Sequence, residues 1–397
     1  MKLIFRDRQF SYELLRVIGH SSYGCADISE CLSTAYRIKD GDFESWHNEW
    51  KNTADRIYSI AKNCLKEGHS VSAREAFLRA SSYYRTAEFF LHEIKDRESA
   101  LATYRMSRKS FLEASVLLDP TIEQVEIPYE NVHLKGYFSQ ASQGKGRGPV
   151  LIVNGGYDNT AEELFTTAVA AGRRGYNSLF FDGPGQGYAL REQNLYFRPD
   201  WEKVITPVID YLSGRKDIDP ERISIIGYSL GGYFAPRAAA FEPRIKACIA
   251  DGGVYNFFDG VIDEKYRKNL KKEFDKEDSP LINWIMRNVI MRRSTTSRWA
   301  IIDGLWKLNV KTPFQVLKEY AKYDLEGIAG RIKCPVLICD SEKEMFFQGQ
   351  SQVLFDHLEC PKELMLFTVL EGAEEHCQQG ARLLAHQRIF DWLDECF

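Results

Sequence analysis

The chain has 397 residues, long for one average compact domain and short for three, so two structural units are expected. Hydrophobic residues at 44%, charged at 27% and aromatic at 13% describe a soluble globular protein with ample core material and exclude a disordered chain. A formal net charge of -4 with acids and bases interspersed excludes nucleic acid as an expected partner. The start, Met1-Lys2-Leu3-Ile4-Phe5-Arg6, lacks a signal peptide's apolar stretch, and no later run approaches the roughly 18 apolar residues of a membrane span, so a cytoplasmic protein without membrane contact is expected. The nine cysteines are scattered without metal-ligand spacing and read as free, mostly buried thiols; no metal or cofactor motif is present.

From Phe43 to about Leu118 apolar residues recur at three and four positions, with turn-like interruptions near Glu67-Gly68-His69-Ser70 and Lys95-Asp96-Arg97-Glu98. At least three helices follow, in an N-terminal helical domain over residues 1–120. The stretches Ala73 to Phe90 and Ala100 to Leu117 share a loose Ala-rich pattern, but two weak copies do not make a repeat array. After Asp119-Pro120, Val125 to Tyr129 and Val132 to Phe138 alternate as a β-hairpin would. A Gly/Ser/Gln/Lys-rich turn from Gln140 to Gly148 leads into Val150-Leu151-Ile152-Val153, an apolar run suited to burial on both faces of a parallel sheet.

Runs of the same kind follow at Ser178 to Phe181, Ile223 to Ile226, Ala247 to Ala250, Val336 to Cys339 and Leu364 to Val369. Helical segments such as Glu162 to Ala171, Trp201 to Leu212 and Gly232 to Phe241 separate most of them. The alternation predicts a doubly wound, mostly parallel α/β domain over 121–397. The interval Tyr255 to Gly330 is too long for one crossover and carries Phe257, Phe258, Trp284, Trp299 and Trp306, so an inserted helical cap is expected at about 256–330.

Ser229 lies in Gly227-Tyr228-Ser229-Leu230-Gly231, directly after a strand-like run and before a helical one. This is the context of a nucleophile elbow, where small neighbours permit a sharp turn that projects the hydroxyl beside a helix N-terminus. The plainer alternative is a Ser that caps the helix. A Ser hydroxyl is a poor nucleophile near neutral pH, so a base is required, in the chain order Ser, acid, His. Of the three histidines beyond the cap, only His376 directly follows a strand-like run; His357 and His386 fall in helical patterns. The loop after Val336 to Cys339 offers Asp340, Glu342 and Glu344 as the acid. Glu344 is preferred over Asp340 because it lies deeper in that loop.

Stabilising a developing oxyanion takes two donors. The amide of Leu230 is one candidate; Gly156 and Tyr157 in the turn Asn154-Gly155-Gly156-Tyr157-Asp158 offer the other, unless Gly155-Gly156 is mere turn punctuation. Asp158 either contacts substrate or caps the helix that follows. Asp182-Gly183-Pro184-Gly185-Gln186-Gly187 lacks the Lys-Ser/Thr ending of a phosphate loop and reads as a structural loop at the rim of the site.

Together with Phe346-Phe347-Gln348-Gly349-Gln350 and Gly372-Ala373-Glu374-Glu375-His376-Cys377, these motifs resemble the α/β-hydrolase superfamily over about Ile122 to the C-terminus. More narrowly they resemble the branch with an N-terminal helical domain that includes fungal polyketide-shortening hydrolases and the bacterial 2,6-dihydroxypseudooxynicotine hydrolase. The resemblance implies a Ser-acid-His triad, an active site between helical domain and sheet, and often cleavage of a carbon-carbon bond next to a ketone. It also implies assistance from an acid at the position of Asp158. Relatives usually carry Asp where Glu344 stands, which keeps Asp340 in contention.

The expected activity is that of a serine hydrolase on a bulky, largely apolar carbonyl compound of polyketide type, by acyl or carbon-carbon cleavage, cyclisation or condensation. The alternatives are a prolyl-oligopeptidase-related peptidase or carboxylesterase, and an inactive binding protein. The expected partner is a small-molecule substrate, and the helical domain offers a surface for a homodimer.

Overall fold

Three aspartates cap the first three α-helices of the chain. The computed structural model describes residues 1, 3–91, 97–141 and 146–397; the turn expected at Lys95-Asp96 and residues 142–145 of the turn expected after Gln140 lie outside them. The described residues divide into two compact units. One comprises Met1–Glu123, Met286–Asp303 and Gln379–Leu383, the other Gln124–Ile285, Gly304–Gln378 and Leu384–Phe397.

The first unit holds α1 (Arg8–Gly19), α2 (Ile28–Ala35), α3 (Phe43–Lys66), α4 (Ser70–Glu88) and α5 (Arg97–Ser115). Asp7, Asp27 and Asp42 accept the first free amides of α1, α2 and α3, satisfying donors that the helix itself leaves without partners. The turn expected at Glu67 to Ser70 separates α3 from α4, with Gly68 at φ +81°. Phe10, Phe43, Trp46 and Phe90 form the aromatic centre; Phe43 and Phe90 stack at 4.2 Å, and Trp46 meets Phe10 edge-on at 4.8 Å. Each such ring contributes roughly 1.5–3 kcal/mol by leaving water.

This cluster also explains a departure from the expected cap. Trp299 stacks on Phe89 at 4.9 Å and the Arg298 guanidinium lies 4.1 Å over Phe43. Residues Met286–Asp303 thereby join the first unit, and the insertion is divided rather than one body.

The second unit is built on an eight-stranded sheet ordered β1-β2-β4-β3-β5-β6-β7-β8. The strands are β1 (Glu123–Tyr129), β2 (Val132–Ser139), β3 (Gly148–Asn154), β4 (Asn177–Phe181), β5 (Ile218–Tyr228), β6 (Ala247–Asp251), β7 (Val336–Ser341) and β8 (Lys362–Phe367). Two residues connect β1 to β2, as the hairpin pattern predicts. β2 runs antiparallel to β4, and every pairing from β4 through β8 is parallel. Val150, Leu151, Ile152 and Val153 are fully buried, as are Ile223, Ile225 and Ile226 in register beside them. Crossover helices α6 (Phe165–Arg173), α7 (Gly187–Arg191), α8 (Glu202–Ser213) and α9 (Gly231–Ala239) lie between these strands in sequence.

One strand departs from its pattern. β8 ends at Phe367 rather than Val369, and Lys362, Glu363 and Leu366 are exposed, because it is the sheet's last strand and pairs only with β7. Between β6 and β7 the insertion is pinched at its base: Phe257 N–H donates to Tyr323 O and Leu325 N–H to Tyr255 O, both at 2.9 Å. Parallel strands present their carboxyl ends together, and loops carrying Ser229, Gly252, Glu344 and His376 follow β5, β6, β7 and β8, four neighbours in the order.

Candidate active site

Ser229 sits at φ +59°, a left-handed conformation that costs a residue with a Cβ about 1–2 kcal/mol. Its neighbours make the turn possible. A Cβ on Gly227 would stand 1.9 Å from Gly231 O, so no other residue fits there. The Ser229 N–H donates to Asp251 O at 2.8 Å, which ties the elbow to the end of β6. Helix α9 begins immediately afterwards, with Leu230 at its N-cap.

The same strand end receives the histidine. A Cβ on Gly252 would lie 3.1 Å from His376 Cε1, and Cys377 Sγ donates to Asp251 O at 3.6 Å. His376 Nδ1 is 2.6 Å from Glu344 Oε2, both side chains being buried. Glu344 Oε1 accepts the amides of Phe346 at 2.7 Å and Phe347 at 3.2 Å. Burial is the largest influence on this carboxyl and opposes its charge, but His376 and the two amides outweigh it and hold Glu344 below the usual carboxylate range.

Backbone contacts fasten the acid's loop to the histidine's: Lys343 N–H donates to Glu374 O and Ser341 Oγ to Glu375 O. The other acids of the loop point elsewhere. Asp340 accepts from Ser341 N–H and is pushed up, chiefly by burial; Glu342 is exposed and accepts from Val369 N–H. His357 is exposed and bonds Val353 O, while His386 is buried beside the Thr167 and Tyr228 hydroxyls. His376 Nε2 lies 3.4 Å from Cys377 Sγ. Among the described residues Ser229 Oγ makes no hydrogen bond; serine-histidine contacts in ligand-free sites are often long and tighten when substrate binds.

The turn after β3 lies directly against the elbow. A Cβ on Gly156 would stand 2.5 Å from Tyr228 O and 2.8 Å from Ser229 Cβ, so only glycine permits this approach. The Gly156 amide is already engaged, donating to Asn159 Oδ1 at 2.9 Å. This corrects the expectation that Gly156 supplies an oxyanion donor: its amide is engaged by Asn159, and what the site draws from it is the absence of a side chain. Asp158 is half-buried, and it is not the helix cap: Thr160 stands at the N-cap of the turn Ala161–Leu164, its own N–H donating to Glu163 Oε2 at 3.2 Å.

The loop Asp182 to Gly187 braces this region from below. Asp182 is buried and accepts the amides of Ala161 and Tyr188, both at 2.8 Å. Burial first, and the neighbouring Glu162 second, push its carboxyl up to about 7. The folded state therefore keeps a proton that the unfolded chain releases near 3.8, and stability should fall as pH rises from about 4 to about 7. Asp182→Asn, neutral throughout, should flatten that part of the curve of melting temperature against pH. An unchanged slope would mean that Asp182 is ionised in the fold.

Sequence reasoning left three contributors unassigned. Gln186 reaches the carbonyls of Gly155 and Gly156, Lys307 reaches that of Tyr157, and Asn159 takes the amide of Gly156. Lys307 had a visible signal, since a charge interrupts the apolar run Leu305-Trp306-Lys307-Leu308; Gln186 had none beyond its place in a glycine-rich loop.

An eight-stranded, mostly parallel sheet with a serine elbow after β5 and a histidine after β8 defines an α/β-hydrolase. Residues 15–284 match the family described as "Esterase FrsA-like", and the chain belongs to that family of hydrolases. Hydrolase LUC6 of Fusarium sp is 34% identical over 100% of this chain and 98% of its own. The 20-hydroxy-prefusarin hydrolase FUS2 of Gibberella moniliformis is 35% identical over 100% of this chain and 98% of its own. Among solved structures, the 2,6-dihydroxy-pseudo-oxynicotine hydrolase superposes with a TM-score of 0.72 over 95% of each chain at 23% identity, a likeness of fold. Among the described residues no helix is long and apolar enough to cross a membrane, and no group of three or more His, Cys, Asp or Glu residues has the arrangement of a metal site.

Proposed function

We propose that this protein is a serine-nucleophile hydrolase that cleaves an acyl or carbon-carbon bond at the carbonyl of a bulky, largely apolar, polyketide-type substrate. The observation that carries the reading is the buried 2.6 Å pair of His376 and Glu344, lodged at Gly252, the residue after the Asp251 whose carbonyl accepts the amide of left-handed Ser229. A carboxylate on Nδ1 fixes the tautomer that leaves Nε2 able to take a proton.

In this mechanism His376 Nε2 takes the Ser229 proton and Oγ bonds the substrate carbonyl carbon. The carbonyl oxygen becomes an oxyanion held by the amides of Leu230 and Tyr157. Collapse breaks the bond to the leaving group, which departs as a stabilised carbanion, alkoxide or thiolate and collects the proton from His376. Water, deprotonated by the same imidazole, then attacks the acyl-serine ester and frees the acid. Asp158 is assigned to a polar group of the substrate.

An aromatic series supports the substrate class. Tyr157 neighbours Phe257 at 6.0 Å, Phe257 neighbours Phe347 at 5.7 Å, and Phe347 neighbours the His376 ring at 5.6 Å. Such rings run from the oxyanion turn to the base and favour a flat or unsaturated acyl chain over a peptide. A full-length relative described as acting on 20-hydroxy-prefusarin agrees with that chemistry.

Treatment with a fluorophosphonate should place an adduct on Ser229, found by peptide mass spectrometry. Labelling should abolish turnover of aryl 1,3-diketones and p-nitrophenyl esters. A folded protein that takes no label, or that turns over only dipeptide amides, would sink the reading.

A further inference from the structure

Each carbonyl of the turn Gly155 to Tyr157 is held by a side chain. Gly155 O accepts from Asn154 Nδ2 at 2.7 Å and from Gln186 Nε2 at 2.8 Å. Gly156 O accepts from the same Gln186 nitrogen at 2.9 Å. Tyr157 O accepts from Lys307 Nζ, whose side chain is buried. Gln186 is itself fixed, since its Oε1 accepts from Gly183 N–H at 3.1 Å.

A trans peptide unit is rigid, with its C=O and N–H pointing in opposite directions. The unit whose carbonyl Gln186 holds is the one whose N–H belongs to Tyr157. Holding Gly156 O therefore aims the Tyr157 amide, and a hydrogen bond accepted at that carbonyl polarises the same unit and strengthens its donor. Lys307 does the same for the next unit, between Tyr157 and Asp158. The two clamps flank the Tyr157 Cα and fix both of its backbone dihedrals.

The Tyr157 side chain is locked as well. Its ring stacks on Phe197 at 5.7 Å, its hydroxyl bonds Tyr320 at 2.8 Å, and Phe197 N–H donates to Lys307 O at 2.8 Å. Lys307 is the last residue of the helix Thr295–Lys307, so the insertion between β6 and β7 reaches the oxyanion turn through it.

We infer that Gln186 and Lys307 are positioning residues for the oxyanion donor: Gln186 aims the Tyr157 amide, and Lys307 locks the peptide on its far side. The inference rests on the proposed serine hydrolase mechanism. A clamp of this kind acts on the transition state, where the oxygen carries charge, and hardly on the bound ketone or ester.

The test uses the full chain and the variants Gln186→Leu, Lys307→Met and Lys307→Arg, each checked for folding by circular dichroism and melting temperature. Three quantities are read: kcat and KM on a p-nitrophenyl ester, the rate of Ser229 labelling by a fluorophosphonate, and affinity for an aryl trifluoromethyl ketone against its methyl ketone. Gln186→Leu and Lys307→Met should each lower kcat about 10–100-fold while KM changes less than about threefold. Labelling should slow and trifluoromethyl ketone affinity should weaken by similar factors, with methyl ketone affinity unmoved. Lys307→Arg, which keeps a charged donor, should recover most of the loss.

Folded variants that label and turn over at the wild-type rate, or that lose only KM, overturn the clamp and leave the hydrolase reading intact. A wild-type chain that takes no label at Ser229 removes both. Should either apolar variant fail to fold, Gln186→His and Lys307→Gln keep a polar group of shorter or altered reach, and the same division between kcat and KM decides.

Discussion

Ser229→Ala and His376→Ala should each lower kcat/KM by about 10⁴–10⁶-fold, and the double variant should lose hardly more than either alone. In the proposed mechanism the two residues act as one device: without the base the hydroxyl is not activated, and without the hydroxyl the base has nothing to activate. A residue of catalysis should survive, because the amides of Leu230 and Tyr157, the proposed oxyanion donors, are untouched by either substitution. Losses that multiply in the double variant would mean independent roles and would remove the triad assignment.

The same position carries a stability signature. Ser229 holds φ +59°, so Ser229→Gly should relieve the strain and raise the melting temperature while abolishing turnover, whereas Ser229→Ala keeps the strain. Activity and stability thus move in opposite directions at one residue, as expected where backbone strain serves to present a nucleophile.

The sheet was legible because fully buried parallel strands are short apolar runs, and Val150 to Val153 or Ile223 to Ile226 have no other reading between glycine-rich turns. β8 was legible in existence but not in extent. Its outer edge has no partner strand, so Leu366 and Val369 are apolar yet exposed and carry the pattern past the strand's end. Helices α1 and α2 were not foreseen individually; they are 12 and 8 residues long, and aspartate caps rather than a long periodicity mark their starts.

The insertion was the least legible part. Aromatic content announces burial but does not say against what, and Trp299 pairs with Phe89 while Phe257 and Tyr320 pair with each other. Ser229 and His376 are candidates a sequence can offer because each sits where a strand meets a loop, a position that motif spacing reports. Gln186 and Lys307 act through main-chain carbonyls distant in sequence, and no local pattern encodes such a contact. At Gly156 the pattern suggests a donor, whereas its absent Cβ is what the close approach to Tyr228 requires.

Glu344→Gln should lower kcat by about 10⁴-fold, while Asp340→Asn stays within about threefold of wild type. The amide is nearly isosteric, so the fold should persist. What changes is the hydrogen-bond pattern: Glu344 now gives one oxygen to His376 Nδ1 and the other to the amides of Phe346 and Phe347, three acceptor contacts in all. A glutamine supplies only one acceptor atom, so either the two amides or the imidazole meets an NH₂, and the imidazole is left free to take the wrong tautomer. Glu344→Asp keeps the charge but withdraws it by one methylene, so it should fall between the two, about 10–100-fold down. The acid limb of stability supplies a control. Because Glu344 is held below the usual range, it stabilises the fold above its unfolded value and the gain is lost as pH falls through its folded one; Glu344→Gln should lack that dependence. If Asp340→Asn were the more damaging change, the acid would be Asp340, and the short contact between Glu344 and His376 would be a structural ion pair in the wrong place for chemistry.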